Sequence, residues 1–296
     1  MNDWGLFVVI YFFVAGIAGG AYFTSAIIDL FGSNEDRKIA NIGYKITFPM
    51  VIIGVICLIA DLGSPMRFLH MMGTLKYLSP MSMGSWALLA FGLFSLLANI
   101  LIMAEEPKYK GTAVETAAKT ISALFSREIL AGIGAPIGIF LAAYTGVLLG
   151  TTNLPLWGES RLLGALFFIS GVSTSIAVMW LIIERQKIAA PSTFEKLKKV
   201  DNIAIILELV ILIFFLVALG SASPESNKAV VHLLTGSYGV LFWLGVVVIG
   251  LLAPLAIQIR ETLGKAGEAK MNLLIAIMIL FGGFLLRFVI VYAGQV

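Results

Sequence analysis

Eight apolar runs, separated by short polar connections, account for most of this chain. They cover Gly5–Phe31, Lys45–Ala60, Met83–Ala104, Ile129–Gly150, Leu162–Ile183, Asn202–Gly220, Tyr238–Gln258 and Met271–Ala293. A helix needs about 20 mostly apolar residues to cross the hydrocarbon core of a bilayer, so each run predicts a transmembrane helix, the second being the shortest. Between acidic and basic residues, Val114, Ala117, Ala118, Ile121, Leu124 and Phe125 recur at helical spacing. That pattern predicts a short amphipathic helix lying on a membrane surface. The fold expected is an all-α polytopic membrane protein.

Composition agrees. The chain has 296 residues, of which 59% are apolar and 12% charged, and a mean hydropathy of +1.00; soluble domains carry about 25% charged residues. A net charge of +3 offers nothing to a nucleic acid. The single cysteine, Cys57, excludes a disulfide within the chain and an iron–sulfur cluster held by this chain alone, since such clusters take four thiolates. No basic residue precedes the first apolar run, so the start reads as a retained span rather than a cleaved signal peptide.

Charge then orients the chain. The connections at 32–45, 105–128, 184–201 and 259–270 hold 15 of the 20 Lys and Arg residues, and the termini and remaining connections hold 4. The positive-inside bias places the basic loops in the cytoplasm and both termini outside, in a multi-pass cytoplasmic membrane protein. Small residues, Ala15, Gly16, Gly19 and Gly20 in the first run and Gly132, Ala135 and Gly138 in the fourth, let helix backbones approach closely in lipid. The first and fifth runs both start outside and carry small or hydroxyl residues at mid-depth, Gly16 to Ser25 and Ser170 to Ser175. Two four-helix bundles, residues 1–150 and 151–296, fit this arrangement.

One connection is anomalously polar. Asp61 to Trp86 carries an acid, Arg67, His70 and two prolines, Pro65 and Pro80, and lies on the outer side by the charge count. It reads as the lid of a reaction site. Ionisable residues at membrane depth are functional candidates: Asp61 at the outer end of the second run, Glu208 two turns into the sixth, and Arg287 in the outer half of the eighth. Asp29 and Glu128 lie near cytoplasmic ends. Glu208, Asp29 and Arg287 are candidates for a proton path, although Arg287 could instead neutralise an acid or cap carbonyls of a neighbouring helix. Tyr11 and Tyr144 fall at the level of Asp61, Trp86 and Arg287, and a phenol can hydrogen-bond from an apolar wall. An acid in a half-buried site has its pKa raised by desolvation and can trade protons near neutral pH, which is the position expected of Asp61. The two histidines, His70 and His232, both fall in outer connections rather than on facing helices, where a b-type haem would need them. No zinc-binding, nucleophile-elbow or phosphate-loop motif is present, so no metal site is expected.

The ordered set of motifs resembles the membrane subunit of polysulfide reductase and its relatives, the NrfD/PsrC family. The residues carrying it are Gly16-Ile-Ala-Gly-Gly-Ala21, Asp61-Leu-Gly-Ser-Pro-Met-Arg-Phe68, Ser79-Pro-Met-Ser-Met-Gly-Ser-Trp86, Ala143-Tyr-Thr-Gly146, Pro155-Leu-Trp157, and Gly282-Gly through Arg287. The resemblance implies an integral subunit that binds menaquinone or ubiquinone exchangeably and holds no haem or iron–sulfur cluster. It implies a four-cluster-type iron–sulfur subunit docked on the outer face, and behind it a molybdopterin catalytic subunit or a multihaem cytochrome. By position, Tyr144 would hydrogen-bond a quinone carbonyl and Asp61 would exchange its proton. Pro65, Arg67 and Phe68 would shape the outer link, with His70 and Trp86 at the pocket. Tyr11 stands where some relatives have a histidine facing the quinone. A haem-bearing cytochrome b anchor using His70 and His232, and a secondary transporter, are the other classes compatible with the composition.

Overall fold

The computed structural model describes residues 4–33, 35–63, 79–186, 191–262 and 269–295. Among these residues there is no strand, and eight helices are long and apolar enough to cross a membrane. In chain order the spans are Leu6–Phe31, Arg37–Leu62, Pro80–Ala104, Arg127–Gly150, Leu163–Gln186, Pro191–Ala222, a seventh described below, and Ala269–Ala293. The protein is an all-α, multi-pass membrane protein. The link expected to lid the site, with Arg67 and His70, falls at 64–78 and lies outside the described residues.

The first and fifth spans form the centre. Each has 72% of its most apolar stretch buried inside the protein, more than any other span, and they pack against each other. The first span also packs on the second and fourth; the third closes against the second and fourth, and the eighth packs on the fifth and seventh. Small residues permit these approaches, since a Cβ on Gly19 would overlap the Gly138 carbonyl of the fourth span, and one on Gly20 the Gly171 carbonyl of the fifth. Gly132, expected on the same packing face, has open space beside it.

Two spans start eight or more residues earlier than the hydropathy suggests. The second begins at Arg37 rather than Lys45. Asp36, just before it, accepts from the backbone N–H and hydroxyl of Ser33 at 3.1 and 2.8 Å and from Lys196 at 2.9 Å. The opening turns are thus helical although too polar for a hydropathy window. The sixth span is helical from Pro191, which puts Asp201 inside a helix instead of in a loop.

Prolines mark two irregularities. Pro49 leaves the Lys45 carbonyl without its helical donor, and Asn99 of the third span donates its side-chain amide there at 3.4 Å and to Tyr44 at 3.3 Å. The seventh span is π-helical over Leu241–Leu252 and continues as an α-helix over Ala253–Thr262. The change of winding falls at Pro254, whose missing N–H and bulky ring disfavour a regular α-turn before it. The amphipathic segment forms a helix over Ala113–Leu124 that packs on the third span and leaves Leu124 exposed.

Candidate functional site

At the Asp61 end, the first four spans enclose a cavity of about 610 Å³, within the range of small-molecule sites. Helical spacing selects its walls. The third span contributes Met81, Gly84, Ser85 and Leu88, one face at i, i+3, i+4 and i+7. Trp4, Val8, Tyr11 and Phe12 come from the first span and its approach, Leu58, Asp61 and Leu62 from the second, and Tyr144 and Leu148 from the fourth. The walls are mostly apolar. Their side-chain polar groups are two phenols, a carboxylate, a serine hydroxyl and the Trp4 indole N–H.

Tyr144 is held on three sides. Its hydroxyl donates to the Pro80 carbonyl at 2.7 Å, its ring stacks on Phe140 at 5.9 Å, and Gly84 leaves the space that the ring and hydroxyl fill. With its proton given to Pro80, the phenolic oxygen retains acceptor capacity. Tyr11 is 4% exposed, and its hydroxyl donates to no group among the described residues. Asp61 sits at the mouth, and its carboxylate comes within 3.8 Å of the position a side chain on Gly5 would take. There it faces the first turn of the first span, whose N–H groups no side chain caps. Asp61 is exposed rather than half-buried as expected, because it occupies the last turn of its helix.

Several expected site residues lie elsewhere. Trp86, 38% exposed, does not line the cavity; two residues past Gly84 it faces the opposite side of the helix. Arg287 is fully buried behind the cavity. It donates to the carbonyls of Phe12 at 3.3 Å, Phe167 at 3.0 Å and Gly283 at 2.7 Å, and to the Ser170 hydroxyl at 3.1 Å. Its guanidinium also lies over the rings of Phe13 and Phe167, at 5.7 and 5.2 Å. It clamps the first, fifth and eighth spans together. Glu208 is 3% exposed beside Ser170. His232 is half-buried in the last turn of the short helix Pro224–Thr235, between the sixth and seventh spans.

Asp29 is engaged at the opposite end of the protein. Arg127 grips it through Nε and Nη2 at 2.7 and 2.8 Å, and also reaches Glu105 at 3.0 Å and Asn41 at 2.6 Å. This network ties the first four spans at their basic ends, which suits a structural part better than a proton path. The pair is partly buried, and Asp29→Asn leaves Arg127 without its bidentate partner, so it is expected to cost about 2 kcal/mol. A thermal melt of the detergent-solubilised protein should show the loss, with turnover of the surviving protein preserved.

Two features escaped the sequence reading. Trp4 forms part of the cavity wall and is fixed from behind, edge-on to Trp157 at 5.8 Å, with its backbone paired to the Gln295 side-chain amide at 2.6 and 3.2 Å. An interfacial tryptophan was the only signal for it. Asp201 is fully buried, accepting from Ser173 at 2.7 Å and Gln258 at 2.8 Å. Its position beside basic residues disguised it as part of a loop.

Comparison with known proteins covers the same ground. The chain is 29% identical to a protein NrfD homolog of Haemophilus influenzae, across 99% of this chain and 94% of that one. It is 29% identical to a polysulfide reductase chain of Wolinella succinogenes, with the same coverage. It is 23% identical to a selenate reductase subunit of Mesobacillus selenatarsenatis, across all of this chain and 74% of that one. The family model described as polysulphide reductase, NrfD, matches residues 2–296. Since that match takes in all eight spans and every wall of the cavity, the chain belongs to the NrfD family.

Proposed function

We propose that this chain is the quinone-reactive membrane subunit of a reductase complex. It exchanges electrons between a membrane quinone and an iron–sulfur subunit docked at the Asp61 end, which the charge bias assigns to the outer, periplasmic side of the cytoplasmic membrane. The observation that carries this is the convergence of Tyr11, Tyr144 and Asp61 on one apolar cavity. The names of the polysulfide and selenate reductase relatives support the setting in a reductase. A molybdopterin subunit or a multihaem cytochrome would complete the electron route beyond the iron–sulfur partner.

The residues present suit a quinone headgroup: two phenols for its two oxygens, apolar walls for its ring and an acid at the mouth for its protons. When bound, the quinone supplies the two-electron chemistry; the chain holds it and handles protons. Tyr144, donating to Pro80, is set to accept from a quinol hydroxyl, and rotation of its O–H would let it donate to a carbonyl instead. Tyr11 supplies the second donor. Asp61, at the mouth, passes protons between the cavity and water. With one cysteine the chain cannot ligate a four-thiolate cluster of its own, so the iron–sulfur carrier is assigned to a partner.

Substitution tests the assignment. Tyr144→Phe and Asp61→Asn should each slow quinone-linked electron transfer about 100-fold, the usual weight of a positioned proton-transfer group, while the complex still assembles. Full activity in both variants would remove the site from this cavity.

A further inference from the structure

A second cavity, of about 570 Å³, opens at the basic end between the second span, the fifth span and the end of the third. On the second span its wall is one helical face that runs inward from Lys38 to Met50, a rise of about 18 Å. One leaflet of hydrocarbon is about 15 Å deep, so the cleft reaches from the membrane surface to near its middle. It lies at the opposite end from the Asp61 cavity and shares no residue with it.

Polarity falls inward along both walls. On the second span Lys38 and Lys45 lie toward the basic end, and Ile46, Pro49 and Met50 lie deeper. On the fifth span Gln186 is at the basic end, with Ile182 and Val178 one and two turns below it. Pro49 is exposed, and Met50, Val178 and Ile182 are partly exposed, at a depth where lipid rather than water meets the protein. A water there would need polar partners, and these side chains offer none, so an acyl chain is what fills the lower cleft.

The mouth carries an unanswered positive charge. Lys45 is bonded to Glu106. Glu105, beside it, accepts from Arg127 and from Asn41. Lys38 is exposed and forms no ion pair among the described residues. The lining thus sets two lysines against one glutamate. A free anion would answer the charge but leave the apolar trough unfilled; a neutral lipid would do the reverse.

We propose that this cleft holds one anionic phospholipid, its phosphodiester on Lys38 and the Gln186 amide, and one acyl chain along Ile46, Met50 and Ile182. Basic pockets between spans recognise acidic headgroups in this way. The bound lipid joins the second span to the fifth at the basic end.

The test uses the intact complex in mild detergent, stripped of loose lipid and given equal amounts of phosphatidylglycerol and phosphatidylcholine. Native mass spectrometry counts what stays bound. Phosphatidylglycerol should be retained over phosphatidylcholine by about fivefold, the weight of one lysine at an anionic headgroup. Lys38→Gln, at an exposed position, should erase that preference. Glu106→Gln, which frees the Lys45 charge, should raise it by about the same factor. Lys119→Gln, outside the cleft on the short surface helix, should change it less than about twofold, being screened by salt. A phosphatidylglycerol with a photoreactive acyl chain should label the segments that carry Met50 and Ile182. Equal retention of the two lipids overturns the proposal, as does a preference unchanged in Lys38→Gln or lowered as far in Lys119→Gln. Displacement of the lipid by free glycerol phosphate also overturns it, and would mark a site for soluble anions. The wild-type preference and labelling decide the matter whether or not a variant assembles.

Discussion

Arg287→Met is expected to reduce the yield of assembled, detergent-stable protein by about tenfold or more, since each buried carbonyl left without its donor typically costs about 1–3 kcal/mol. The guanidinium is fully buried and bonds to groups on the first, fifth and eighth spans. Gly16 makes room for it, since a Cβ there would stand 2.7 Å from Nη2. Methionine fills part of the volume but supplies no donor, and it leaves Glu208 buried without its counter-charge. The double variant Arg287→Met/Glu208→Gln should recover only the part of the loss that comes from the uncompensated Glu208 charge, since the three carbonyls remain without a donor. Size-exclusion profiles and thermal melts of the three variants measure this. A single variant as stable as the parent would show that Arg287 is no clamp.

Gly84→Ala should slow turnover as much as loss of the Tyr144 hydroxyl itself. A methyl at this position would overlap the Tyr144 ring and hydroxyl, and that ring cannot yield without losing its stack on Phe140 and its bond to Pro80. Displacing a reacting or positioning group by about 1 Å can cost on the order of 100-fold in rate, so kcat/KM for quinol should fall by that factor. The spans themselves should survive, because Gly84 faces a cavity wall rather than a backbone crossing. Far-ultraviolet circular dichroism separates the two cases. Wild-type kinetics in this variant would mean that the Tyr144 position does not matter.

Much of the architecture could be read from residue type alone. Eight long apolar runs leave a helix as almost the only way to satisfy the backbone in lipid, and the family motifs lie along them in order. Depth was also legible, which is why Tyr11, Tyr144 and Asp61 could be grouped before their shared cavity was seen. Azimuth was not. Depth puts Trp86 and Arg287 beside the tyrosines, but Trp86 turns outward and Arg287 turns behind the first span. Which way a residue faces depends on helix rotation, and a nearly uniform apolar sequence does not encode it. Helix ends misled for a related reason. Asp201 and its basic neighbours look like a loop by hydropathy, although the helix runs through them and buries the acid against Ser173 and Gln258. Asp29 could be placed near a basic end, but its bidentate partner Arg127 lies 98 residues away and no local pattern links them.

The claim that the cavity of the first four spans is the quinone site is tested most directly by labelling. A photoreactive quinone added to the intact complex should crosslink to the segments that carry Tyr11, Met81 and Tyr144, and excess native quinol should suppress the labelling. Crosslinks confined to the sixth, seventh and eighth spans, with none in these segments, would contradict the account.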